Sequence, residues 1–125
     1  MRKPKITFSS ATIQYAKEFY GDQFTKSFRG YVALLDDKVV GVGGISCERD
    51  TRILFSDIGK EMRPFKRDIA KAIRILEGMV KSLRYPILAI ADKKEPASEM
   101  LLTKLGFTPS GLANPEGSKI FRRFP

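Results

Sequence analysis

Histidine and tryptophan are absent from these 125 residues. Without an imidazole there is no Ser-His or Cys-His nucleophile, and most zinc sites are excluded. A general base must then be a carboxylate, a tyrosine, a lysine, the thiol or water. Cysteine occurs once, as Cys47, so no internal disulfide can form and a reducing cytoplasm is the expected setting. Its place at the end of an apolar run predicts a buried, inert thiol. Long hydrophobic stretches are missing too. None approaches the roughly 20 residues of a membrane span, and no apolar segment follows the charged Met1 to Lys5 as a signal peptide requires. A soluble protein without a membrane partner is the expectation.

Negative charge is scarce. Asp and Glu total 14 against 23 Lys and Arg, a net charge of +9. Such a surface attracts nucleic acid, anionic membrane surfaces and phosphorylated cofactors, or it serves solubility as a solvated basic face. The basic residues are scattered rather than interleaved with aromatics, and no RRM, helix-turn-helix or KH signature is present. Nucleic acid as a partner therefore has no motif behind it.

What is there suffices for a core. At 42% hydrophobic and 30% charged residues, the chain reads as a single domain over residues 1–125 without repeat, linker or low-complexity tract. Ile6 to Phe8 predicts a short strand, and Ser9 or Ser10 an N-cap for a helix carrying Ile13, Ala16 and Tyr20 and stopped by Gly21. Phe24 and Phe28 lie in a polar linker with room for a second short helix. Tyr31 to Leu35 and Val39 to Cys47 flank an acidic turn as an antiparallel hairpin. Gly41, Gly43 and Gly44 mark a bulge or a close backbone approach in its second strand. No helix follows them, so they are not a dinucleotide fingerprint. Thr51 to about Met62 is the next strand.

Beyond Pro64, Ile69, Ile73, Leu76, Val80 and Leu83 recur at helical spacing and predict a long helix from Asp68 to about Arg84. Ile87 to Ala91 is a continuous apolar run suited to a buried strand. Pro96 opens a last helix with Ala97, Leu101 and Leu105 inward and Gly106 as its stop. Phe107 and Thr108 begin a strand, Pro109 to Gly117 is a flexible segment, and Lys119 to Phe124 alternates as a terminal strand. The order β-α-β-β-β-α-β-α-β-β implies one right-handed parallel crossover inside an otherwise antiparallel sheet.

Two stretches make this order resemble a known family. Glu95 to Phe107, through Pro96, Leu101, Lys104, Leu105, Gly106 and Phe107, matches the N-P-x-A-x-x-L-Y-x-K-L-G-F wording of the GNAT N-acetyltransferases. Pro64-Phe65-Lys66-Arg67 resembles the P-x-Y-R that precedes their acyl-CoA loop. The resemblance covers about Tyr31 to Phe107, and the ends only by element order. It implies an α/β GNAT-like fold: a mixed sheet, mostly antiparallel with one parallel βαβ crossover, and helices on both faces.

The same resemblance implies an acetyl-CoA (or other acyl-CoA) dependent transfer to a small-molecule or peptide amine. The family's R-x-x-G-x-G/A falls on Arg67, Asp68, Ile69, Ala70, Lys71 and Ala72. Ala70 stands where a glycine is usual, and Asp68 puts a carboxylate where amides would meet a pyrophosphate. Lys66, Arg67, Lys71 and Arg74 offer side-chain charge instead. The thioester arm would pair with strand backbone near Glu61 and Met62. Asp57 and Glu61 are the candidate bases on the central strand. The family's tyrosine acid is matched by Leu102, so that role is vacant, and its Asn at the start of the helix is matched by Glu95. Acceptor contacts would come from about Phe24 to Gly30 and Leu112 to Gly117. The alternative is a degenerate, non-catalytic GNAT-like module, binding or structural, of the kind encoded by phages. Oligomeric state and acceptor identity are not legible.

Overall fold

A computed structural model describes residues 4–91 and 97–125 of the chain. The elements follow the predicted order: β1 (Ile6–Ser10), α1 (Ile13–Tyr20), β2 (Phe28–Leu35), β3 (Lys38–Glu48), β4 (Thr51–Ile58), α2 (Lys66–Lys81), β5 (Ile87–Ile90), α3 (Ala97–Lys104), β6 (Thr108–Ala113) and β7 (Lys119–Arg123). One sheet joins the strands in the order β1-β2-β3-β4-β5-β7-β6. Only β4 and β5 pair in parallel. Helix α2 is the long crossover between them, as parallel neighbours require.

Local chemistry explains most boundaries. Thr12, not Ser9 or Ser10, caps α1, its Oγ1 accepting the Tyr15 N–H at 3.2 Å, because β1 extends through Ser10. Gly21 ends α1 at φ 107°, a conformation costly for other residues. No helix forms at Phe24. Its ring stacks on Tyr20, and Phe28 already belongs to β2. Both hairpins turn on two consecutive left-handed residues, Asp36 with Asp37 and Arg49 with Asp50, the geometry that matches strand twist.

Strand β4 stops at Ile58 rather than near Met62. Gly59 bonds back to Val40, and the Met62 N–H bonds the Gly59 carbonyl, which turns the chain. The segment from Pro109 is not a loose link either. It forms β6 on β7, with a register shift between Pro109 and Leu112 where proline cannot donate.

The sheet buries both faces, as alternating strand residues dictate. Val32, Leu34, Val39 and Val42 pack with Tyr15 and Phe19 of α1. Tyr31, Ala33, Val40 and Leu54 pack on the other side with Ala72, Leu76 and Val80 of α2, and Leu102 and Leu105 of α3 join that cluster. The α3 exit is a Schellman turn. The Phe107 N–H bonds the Leu102 carbonyl at 2.9 Å, the Gly106 N–H bonds Thr103 at 3.0 Å, and Gly106 sits at φ 89°. The K-L-G-F wording thus has a structural purpose. Glu95 and Pro96 lie outside the described residues.

Candidate functional site

The site begins where the sheet divides. The β4–β5 ladder holds the pairs Ile53 with Leu88 and Leu54 with Ala89. Beyond them β4 continues along β3 to Ile58, while β5 continues along β7, with the Ala91 N–H on the Lys119 carbonyl. Among the described residues, Phe55 to Ile58 has no partner on the β5 side. The Gly59 N–H points at Val40 of β3, 2.8 Å away. By the alternation of an antiparallel ladder, the backbone groups of Ser56 and Ile58 therefore face the open side. Among the described residues, unpaired strand backbone lies there rather than at Met62. The Met62 N–H and carbonyl are both used in turns, and its side chain is buried.

The start of α2 forms a second part. The helix begins at Lys66, two residues before the sequence pattern placed it. Its N-cap, Phe65, contributes no side-chain hydrogen bond, and the first helical bond runs from Ile69 N–H to the Phe65 carbonyl. The amides of Lys66, Arg67 and Asp68 consequently lack acceptors among the described residues, as at any uncapped helix start. Those of Ala70, Lys71 and Ala72 point back along the helix. Asp68 sits in the first turn without capping it, and Ala72 is buried against the sheet. Around this end Lys60, Arg63, Lys66, Arg67, Lys71 and Arg74 are all exposed. None of them has a carboxylate partner among the described residues, and Lys71 leans over the Phe8 ring.

The two candidate carboxylates part company. Glu61 pairs with Lys38 at 3.6 Å. Asp57 lies on the α1 face of β4, where Tyr20, the last residue of α1, donates its hydroxyl to the carboxylate Oδ2 in a short hydrogen bond. Burial, and then that carboxylate, push the Tyr20 pKa far above the ordinary phenol value. On the opposite face Tyr31 lies over Gly43, which is paired in register with Ser56. A Cβ at Gly43 would stand 2.5 Å from the Tyr31 ring. Burial raises the Tyr31 pKa too, while Ser56 pulls it back without reaching hydrogen-bond geometry. The Tyr31 hydroxyl is buried without a hydrogen-bond partner among the described residues, a costly state.

Neither tyrosine was singled out from the sequence for chemistry. Tyr20 read as a core position of its helix and Tyr31 as the start of a strand. The hairpin register, which pairs Tyr31 with Gly43 and Gly43 with Ser56, was the one signal that could have found Tyr31. Leu102 is buried beneath the α3 exit, with no hydroxyl to offer. Phe28 to Gly30 lie in β2, and Leu112 and Ala113 in β6.

No protein-family model matches the chain, and no curated protein matches it by sequence. Solved structures do. The ribosomal-protein-S18-alanine N-acetyltransferase of Escherichia coli superposes with a TM-score of 0.59 at 15% identity, over 95% of this chain and 93% of that one. This is the GNAT acetyltransferase fold. A GNAT-family acetyltransferase of Staphylococcus aureus gives a TM-score of 0.57 at 12% identity, over 95% and 98%. One from Streptococcus pneumoniae gives 0.57 at 16%, over the same shares. Likeness at such identities is likeness of fold, and the GNAT fold here includes the interrupted β4–β5 ladder followed directly by an uncapped α2. Among the described residues no helix is long and apolar enough to cross a membrane, and no group of acidic, cysteine or histidine side chains could hold a metal.

Proposed function

We propose that this protein transfers an acetyl group from acetyl-CoA to an amine. The observation that carries the reading is the conjunction of unpaired β4 backbone with free amides and unpaired cations at the start of α2. The diphosphate would lie against the Lys66, Arg67 and Asp68 amides, within reach of Lys60, Arg63 and Arg67. The amide-bearing arm would pair with Ser56 and Ile58 as an added strand. Ala70 does not obstruct this arrangement, because its amide points into the helix. Bound acetyl-CoA supplies a thioester whose carbonyl carbon an amine can attack with loss of the thiol.

Asp57 of β4 and Tyr31 of β2, which lies beside the adjacent Ser56, then divide the proton chemistry between the faces of the sheet. Asp57, positioned by the Tyr20 hydroxyl, takes the proton of the attacking amine directly or through water. Tyr31, on the other face beside Ser56, stays protonated and can give its proton to the departing thiolate. It would fill the role that Leu102 leaves empty. Glu61, tied to Lys38, acts on charge balance rather than on the amine.

Leu102 also favours the competing reading, a fold that binds without transferring. Calorimetry with acetyl-CoA and with CoA decides whether the groove works at all: binding is expected, and none at millimolar cofactor ends the proposal. Given an acceptor amine, Asp57→Asn should lower kcat about 100-fold, typical of a lost base, with cofactor affinity unchanged. Equal kcat would remove Asp57 from the chemistry.

A further inference from the structure

A cavity of about 400 Å³ opens at the other end of α2, against β2, β3 and β4. The 16 residues of α2 span about 24 Å at 1.5 Å each, so this cavity is remote from the free amides, although Ser27, Phe28 and Arg29 of its lining fall in the segment expected to contact the acceptor. Its walls include Ile45, Met79 and Leu83, and two guanidiniums, Arg29 and Arg52, stand among them. Arg52 lies over the Tyr85 ring at 4.6 Å and donates its Nη1–H to Cys47 Sγ at 3.0 Å. Register places Arg52 directly opposite Cys47, and Arg29 opposite Ile45. Neither arginine pairs with a carboxylate among the described residues. The neighbouring Glu48 is held by Lys26 at 3.3 Å, and Asp50 adds only a distant attraction on Arg52.

We infer that this cavity is a second binding site, for a small carboxylate with an apolar body. Two solvent-facing guanidiniums with no carboxylate partner among the described residues attract an anion. The aliphatic walls select an anion that carries hydrophobic surface, because a bare oxyanion would leave them in water. A planar ring fits beside Tyr85, and its carboxylate meets the open fork of Arg29. The burial expected for the Cys47 thiol is corrected by the same geometry. The β3–β4 hairpin carries Cys47 out of the core to an exposed position on the cavity wall.

That exposure supplies the test, since Cys47 is the sole thiol. The full chain is labelled with N-ethylmaleimide at constant ionic strength, and the modified fraction is followed by intact mass. Benzoate is the probe, with benzamide and inorganic phosphate as comparisons. A ligand of this size binds with a dissociation constant on the order of 1 mM, so about 10 mM benzoate should slow labelling about tenfold. Benzamide and phosphate should leave the rate within about twofold. Arg29→Gln, a surface change, should abolish the protection while leaving the thermal midpoint in place. An unchanged rate with benzoate overturns the inference. So does equal protection by benzamide or phosphate, or full protection in a folded Arg29→Gln variant.

Discussion

Tyr20 and Tyr31 face opposite sides of the sheet but are perturbed first by the same cause, burial. Ionisation is therefore resisted in the native state and free in the unfolded chain. A group whose pKa is raised by folding contributes its full stability below its unfolded value, near 10 for tyrosine, and loses it as pH rises through the native value. Absorbance at the phenolate band should show two of the four tyrosines, Tyr20 and Tyr31, resisting ionisation until the protein unfolds. Four tyrosines titrating together in a folded chain would refute that burial. Gly43 is the matching steric test. A methyl 2.5 Å from the Tyr31 ring must displace it, so Gly43→Ala should destabilise by about 1–3 kcal/mol, the usual cost of overpacking. Urea denaturation reads the loss. An unchanged midpoint would mean that the ring moves freely and cannot hold a hydroxyl beside Ser56.

Among the elements, α2 carries most of the proposed binding, and its first turn holds the one negative charge that opposes it. Asp68 complements the helix dipole while repelling a diphosphate. Asp68→Asn keeps the shape and removes both effects. It should tighten CoA about twofold to fivefold and cost the fold about 0.3–1 kcal/mol, since the dipole interaction lies in that range. Calorimetry and thermal denaturation measure the two opposed signs in one variant; weaker CoA binding would place the phosphates elsewhere. Element order was legible because the stripe of α2 and the alternation of the strands are strong signals. The ends of elements were not. The apolar pattern does not mark Ile58 rather than Met62 as the end of β4, because the stop is set by the turn in which the Met62 N–H bonds the Gly59 carbonyl. Pro109 and Gly111 hid β6, which depends on β7 to form. Contacts such as Tyr20 with Asp57, 37 residues apart, exist only once the sheet has placed α1 over β4.

At the scale of the whole molecule, the GNAT resemblance was legible from paired motifs and element order, yet the open amides fall one step earlier than the motif's alignment placed them. The reason is that the helix starts at Lys66, wherever the glycine of the pattern stands. The net charge of +9 takes on local meaning in the same way. Among the described residues, Glu48, Glu61, Glu77 and Glu99 form surface ion pairs with Lys26, Lys38, Lys81 and Lys119, worth little to stability each. The cations near the start of α2 have no such partners among the described residues. An anion held there should feel screening strongly, because the Debye length falls from about 10 Å at 0.1 M salt to about 3 Å at 1 M. CoA affinity should accordingly fall about tenfold or more between these concentrations, while the thermal midpoint moves little. A random oligonucleotide at low salt should compete with CoA if it uses the same cations, without sequence preference. Salt-independent CoA binding would show that the strand backbone carries the affinity alone and that the basic rim serves only solubility.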